Sequence, residues 1–228
     1  MCFSAAASFA AAAILAPTGV LAMHRAARVD RRYLAMATLP MLFSIQQFLE
    51  GLVWIAGPEA GPEVVTRLSL AYMFFAWVAW PVWVPVSCYF VEGGRRRSMY
   101  LAFAIAGGML GALQYVPYFA HQGWLVTTFL DHAISYGGTE LLDLIVSREV
   151  TYGIYVTVVI APLLLSSDAE VRIFGTLVTA VLLATYLFFT YAYVSIFCFG
   201  GALMSLYLVL LMLRKKPPHV PFSTRATA

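Results

Sequence analysis

The stretch FSIQQFLEGLVW, residues 43–54, carries an acid in otherwise apolar sequence. Gln46 and Glu50 are four residues apart, so a helix sets them on one face; Trp54 continues that face and Gln47 flanks it. Placing a carboxylate at the centre of a membrane span costs about 2.5–3.5 kcal/mol, and less towards the interface. Acids retained at such a cost face a bundle interior and mark a pathway, a relay or a binding site. The plainer alternatives are a protonated acid hydrogen-bonded across helices, or one hydrated at the outer surface.

Three cysteines, Cys2, Cys88 and Cys198, offer soft sulfur ligands. Cys88 falls near the inner end of its span, whereas Cys2 and Cys198 fall on the outer side at similar depth. The pair reads as a disulfide in an oxidising compartment, as two unrelated small apolar residues, or as thiolates for a soft metal ion such as Cu or Zn. A long outer connection, residues 120–149, adds His121, Asp131, His132, Tyr136, Glu140 and Asp143. Asp131 beside His132 could orient a metal-ligating imidazole or relay a proton, or the histidine is simply solvated. Within this connection TELLDLIV reads as a short amphipathic helix lying on the membrane.

Apolar spans must position these residues. The 228 residues are 62% hydrophobic and 11% charged, against about 25% charged in a soluble domain, so the outer surface faces lipid. Apolar runs of about 20 residues fall at 4–23, 33–56, 68–91, 98–119, 150–166, 173–190 and 195–213. Of the 14 basic residues, 12 lie in alternate connections and the tail: Arg25, Arg28, Arg31, Arg32, Arg95, Arg96, Arg97, Arg172, Arg214, Lys215, Lys216 and Arg225. Lys/Arg-rich connections stay cytoplasmic, which sets the N-terminus outside and the C-terminus inside. The uncharged run 173–213 holds two spans, with a turn near residues 191–194. The expectation is an all-α bundle of seven transmembrane helices, residues 1–213, followed by a basic, proline-containing cytoplasmic tail, 214–228. No basic residue precedes the first apolar run, as a secretory signal requires; MCFSA is therefore expected to stay at the outer face.

The third span repeats Trp77, Trp80 and Trp83 and contains Pro81 and Pro85. It reads as a kinked helix lining an aromatic-walled cavity, or as ordinary packing with an interfacial belt. Gly107, Gly108 and Gly111 allow close helix approach. No lysine lies in a span, which excludes a retinal Schiff base, and no histidine lies deep in one, which argues against haem and against helix-borne zinc hydrolase sites. Phosphate loops, GxSxG, HExxH and CxxC are absent. The arginine clusters are explained by topology, so no nucleic-acid partner is expected. The halves do not mirror each other as transporter repeats do.

MCFSAAASF, FSIQQFLEGLVW, AWPVWVPVS, DHAISY and SIFCFGGALMS together resemble an uncharacterised family of bacterial integral membrane proteins that open with Met-Cys-Phe-Ser-Ala. The resemblance implies importance for Cys2, Ser4, Gln47, Glu50, Gly51, Trp54, Trp80, Pro81, Pro85, His132, Tyr136 and Cys198, and brings no activity with it. One departure is Phe197-Cys198-Phe199-Gly200, where the family leads one to expect Trp-Cys-Phe-Phe. The expected protein is thus a multi-pass component of the bacterial inner membrane. Its outward-facing site for a metal ion or small ligand, used in sensing or transport, is built from Cys2, Glu50, His132 and Cys198, with Ser4, Gln46, Gln47, Trp54, Trp80 and Tyr136 in support. The second reading is an accessory subunit without a ligand, packed against another membrane protein. An enzyme is third, because no nucleophile–base pair is readable.

Overall fold

The computed structural model describes residues 4–188 and 192–215; Cys2 and most of the basic tail fall outside them. Helix α1 (Ala5–Val29) starts at Ser4, whose hydroxyl accepts the Ala7 N–H at 3.4 Å. It ends at Asp30, whose carboxylate accepts from the Arg32 N–H and so caps the 3-10 turn Arg31–Tyr33. Two helices follow almost in line, α2 (Leu34–Ala37) and α3 (Leu39–Ala56), with a break at Thr38 just before Pro40. The Trp83 indole N–H occupies the break, donating to Thr38 Oγ1 at 2.8 Å. Gly57, at φ 62°, ends α3 in a conformation that suits glycine.

The next span is one rod made of α4 (Pro62–Phe74), a π-helical turn (Phe75–Ala79) and α5 (Trp80–Val91). Pro81 and Pro85 have no N–H for the carbonyls of Trp77 and Pro81 one turn earlier. Helix α6 (Arg96–Ala120) lays glycines over these same carbonyls. A Cβ on Gly111 would lie 2.4 Å from Trp77 O, and one on Gly107 2.0 Å from Pro81 O. The four-residue spacing of the prolines is thus answered by the four-residue spacing of the glycines, and backbone meets backbone.

The connection after α6 departs from the expectation of an all-α chain. Strands β1 (Leu125–Leu130) and β2 (Ala133–Gly138) form an antiparallel hairpin, Leu130 opposite Ala133, closed by Asp131 and His132. The β-branched residues Val126, Thr127, Thr128 and Ile134 suit a pleated ribbon better than a helix. TELLDLIV is not a surface helix either: it makes one 3-10 turn, Leu141–Leu144. Glu140 is drawn inward, and Arg148 holds Asp143 and the Gly138 carbonyl. Leu144 and Ile145 are left exposed, at 74% and 76%. The chain finishes with α7 (Arg148–Leu164), α8 (Ala169–Phe188) and α9 (Tyr193–Arg214).

Among the described residues, six segments are long and apolar enough to cross a membrane: α1, the α2–α3 unit, the α4–α5 rod, α6, α8 and α9. The 17 residues of α7 sit at the lower edge of the spanning range, about 17–25. Helix α1 packs on α3 and α9, α5 on α6 and α7, and α8 joins α7 to α9. Contacts sort the connections into two ends. At one end the Tyr33 hydroxyl donates to Asp168, Ser166 Oγ donates to Glu92 at 2.6 Å, and Lys215 Nζ lies 3.9 Å from the centre of the Tyr33 ring. At the other end the hairpin sits on α4, where Thr127 Oγ1 donates to Ser69 Oγ at 2.7 Å.

Candidate functional site

At the hairpin end of the bundle, α3 buries three consecutive polar positions of one face: Gln46 at 0%, Gln47 at 0% and Glu50 at 2% exposure. Opposite them α9 presents Ser195 and Cys198, three residues apart and so on one face of their own helix. The Ser195 hydroxyl donates to Glu50 Oε1, and Gln47 Nε2 donates to Glu50 Oε2 at 3.3 Å. Gln46 donates to Cys198 Sγ at 3.2 Å and accepts from Trp80 Nε1 at 3.1 Å. The Trp80 ring is itself fixed by stacking on Phe43 at 4.0 Å. Small residues bring the walls in: a Cβ on Gly51 would lie 2.7 Å from the Phe9 ring of α1, and one on Gly201 3.0 Å from Phe43. Among the described residues, Lys and Arg pair only with Asp30, Glu63 and Asp143, not with Glu50. A carboxyl fixed in this way, with both oxygens hydrogen-bonded and no counter-charge, is equipped to hold a proton or a cation.

The hairpin covers this network from its own end. Tyr136 of β2 stacks on Tyr72 of α4, ring centres 4.7 Å apart. The Tyr136 hydroxyl is buried with no hydrogen-bond partner among the described residues, and the Tyr72 hydroxyl faces Glu50 and Cys198. Glu50 and Cys198 are electrostatic neighbours of both rings. Ala133 and Ile134, at 1% and 0% exposure, fill the space beneath the turn.

From the side, a crevice of about 500 Å³ between α7, α8, α9 and the π turn reaches Cys198. Its inner wall holds Trp77, Tyr155 and Phe197, and exposed Gly153 and Tyr186 stand at its mouth. Trp77 is 4% exposed, and its Nε1–H has no acceptor among the described residues. The crevice wall is braced from the outer connection. Tyr152, which lines it, donates to Glu140 Oε1 at 2.8 Å, and Gln114 Nε2 donates to Glu140 Oε2 at 2.6 Å. Burial pushes the Glu140 carboxyl above its ordinary value, and these two hydrogen bonds only partly offset it.

Of the residues singled out in the sequence, Gln46, Gln47, Glu50, Trp80, Tyr136 and Cys198 come together here. Ser4 serves as the cap of α1. Trp54 lies half-buried against Phe129 of the hairpin, ring centres 6.3 Å apart. His132 stands exposed at the hairpin turn, outside the network. Cys2 lies outside the described residues, and its pairing with Cys198 lies there with it; α1 and α9 are nonetheless neighbours. Cys88 and Cys198 are free thiols among the described residues. No three His, Cys, Asp or Glu side chains gather into a metal-binding set among the described residues. Sequence reading names Glu140 only as part of the outer connection and misses Ser195, Tyr72, Gln114 and Tyr152. Only the three-residue spacing of Ser195 and Cys198, on a helix otherwise poor in polar groups, could have flagged one of them.

Residues 1–223 match the model of a family of unknown function (DUF6629), and the chain belongs to that family. No curated protein and no solved structure matches the chain.

Proposed function

We propose that this chain is a seven-span protein of the bacterial cytoplasmic membrane, N-terminus outside and C-terminus inside, that binds a small ligand in the outer half of its bundle for sensing or transport. One observation carries the reading. Cys198 belongs at once to the buried Glu50 network, through Gln46, and to the wall of the 500 Å³ crevice. A crevice of this size falls within the about 300–1,000 Å³ of small-molecule sites, and a buried acid beside it is the kind of group that membrane sites retain. Glu50 and Cys198 are the polar groups closest to the chemistry, and the Cys2 thiol is the natural third member should the ligand be a soft metal ion.

Native mass spectrometry of the full chain, extracted in its own lipid, tests this together with elemental analysis. The expected result is a stoichiometric small-molecule or metal adduct that Glu50→Ala loses while its insertion is unchanged. A bare chain that always co-purifies with one other membrane protein would instead make it an accessory subunit.

A further inference from the structure

We infer that the crevice binds an organic cation with apolar substituents, an alkylammonium, which Glu149 draws in and Tyr152, Tyr155, Tyr193 and Phe197 hold. This inference rests on the proposed ligand site and names the chemical class of its ligand.

Three observations converge on it. The first is charge. Glu149 lines the crevice, and among the described residues no lysine, arginine or histidine does so. Arg148, its neighbour in the chain, is turned to Asp143 and the Gly138 carbonyl instead. An anion would meet a carboxylate and no counter-charge here, whereas a cation meets its complement. The second is the wall. On α7, Glu149, Tyr152, Gly153 and Val156 recur at helical spacing, as Tyr193 and Phe197 do on α9. Tyr152, Tyr155, Tyr193 and Phe197 line the crevice and are only half-buried, so a guest can reach them. The rings are set at angles to their neighbours: Tyr152 and Tyr193 are 5.0 Å apart at 59°, and Tyr155 stands at 77° to Trp77. Angled rings surround a guest, and the negative face of an aromatic ring attracts a cation most strongly once both are out of water. A bare inorganic cation of the hard type needs several oxygen ligands, which a lining so rich in carbon does not supply; an ammonium clothed in alkyl groups needs none. The third is the mouth. Gly153 has no side chain to close it, Tyr186 in the last turn of α8 is 69% exposed, and Glu149 stands in the first turn of α7. In the proposed topology these turns lie at the outer interface, where an amphipathic cation gathers. From Glu149 to Val156 the crevice descends about 10 Å at 1.5 Å per residue, which carries the guest from the acid to the rings.

The test uses the full chain in nanodiscs of a neutral glycolipid, which has no ammonium of its own, and saturable binding of phenylbutyl-trimethylammonium. Its uncharged isostere, with carbon in place of the nitrogen, is the matched comparison. The cation is expected to bind about 5- to 30-fold more tightly than the isostere. Phe197 is replaced by phenylalanines of increasing fluorine content, which keep the ring's shape and drain its negative face; Phe197→Leu is the encoded counterpart. Cation affinity should fall stepwise with fluorination while isostere affinity holds. Glu149→Gln should weaken the cation at low ionic strength and match the parent at high salt, where the attraction is screened. Val156→Trp and Leu182→Trp, both on the crevice wall, are expected to abolish binding of both probes while the unfolding temperature stays near that of the parent. Phosphatidylcholine nanodiscs separate two sources of an alkylammonium: a fall in probe affinity assigns the site to the lipid headgroup, and an unchanged affinity assigns it to a free cation. Equal affinity for cation and isostere, or a cation affinity indifferent to fluorination, overturns the cation inference while leaving the ligand site standing. Binding that survives both crevice-filling variants, or no saturable binding in the parent, overturns the crevice itself, whereas the native adduct lost with Glu50→Ala is read separately.

Discussion

Ser195 and Gln47 both spend their hydrogens on Glu50, so the acid cannot be removed without stranding two buried donors. Leaving a buried polar group unmatched costs about 1–3 kcal/mol. Glu50→Ala should therefore lower the unfolding temperature of the detergent-solubilised protein clearly. Glu50→Gln keeps an acceptor oxygen for one of the donors and should cost less, yet it removes the acid chemistry and with it the ligand response. Scanning fluorimetry of the two variants checks the order; equal unfolding temperatures for Glu50→Ala and the parent would mean that the hydrogen bonds do not hold α3 to α9. Glu50, Gln46 and Cys198 were legible in the sequence because an acid, an amide and a thiol stand out in apolar surroundings. Ser195 and Tyr72 were not, because serine and tyrosine are inexpensive in a span and acquire meaning only from what they face. His132 marks the opposite failure: a residue with a versatile side chain that the fold leaves at an exposed turn.

Among elements, the meeting of α5 and α6 gives a sharp contrast. Gly107→Ala and Gly111→Ala would each drive a methyl into a backbone carbonyl, at 2.0 and 2.4 Å, whereas at Gly108 the nearest neighbour is Val82 Cγ2 at 3.7 Å. The first two should cost at least about 1–3 kcal/mol by overpacking, and Gly108→Ala should be near neutral. Helicity and unfolding temperature of the three variants measure this, and equal effects would deny the backbone contact. The turn between α7 and α8 supplies a second case. Burial works against charge on Glu92, but hydrogen bonds from the Ser166 and Ser167 hydroxyls and the Ser167 N–H outweigh it and hold the carboxyl below its ordinary 4.5. The folded state therefore binds its proton less tightly than the unfolded state does. Its contribution is present at neutral pH and is lost as pH falls from about 4.5 through the lower folded value. The difference in unfolding temperature between parent and Glu92→Gln should accordingly shrink across that window, and a difference independent of pH there would show that the carboxylate does not hold the turn. Span positions were legible from apolar length alone, since helices are what an apolar chain forms where water cannot satisfy its backbone. The hairpin was not: its strands are six residues each, and their register depends on Ser69, Tyr72 and Trp54, which lie far away in the chain.

At the scale of the whole molecule, the two ends of the bundle differ in charge. Arg31, Arg32, Arg95, Arg96, Arg97, Arg172, Arg214 and Lys215 belong to the end at which Tyr33 meets Asp168 and Ser166 meets Glu92. The hairpin end keeps Arg67 and Arg148, which pair with Glu63 and Asp143. Positive connections are retained in the cytoplasm during insertion, so the basic end is expected inside and the hairpin end outside. Parity then bears on the count. Helix α1 runs towards the basic end and α9 finishes there, so the proposed topology calls for an odd number of crossings; beside the six segments that are long enough among the described residues, it takes α7 as the seventh. Its 17 residues span about 26 Å at 1.5 Å per residue, slightly less than a hydrocarbon core of about 30 Å, so Arg148 and Glu149 at its start would sit at the interface beside the mouth of the crevice. Reporters fused after Ala228 should be active only in the cytoplasm, and reporters inserted near Ala60 and Ser135 only outside. A fusion after Ser167 is the decisive one: it reads cytoplasmic if α7 crosses and external if α7 merely lies on the surface. An external reading there would leave six spans, put Glu92 and its serine partners on opposite sides of the membrane, and so overturn both the seven-span reading and the contact of Glu92 with Ser166 and Ser167.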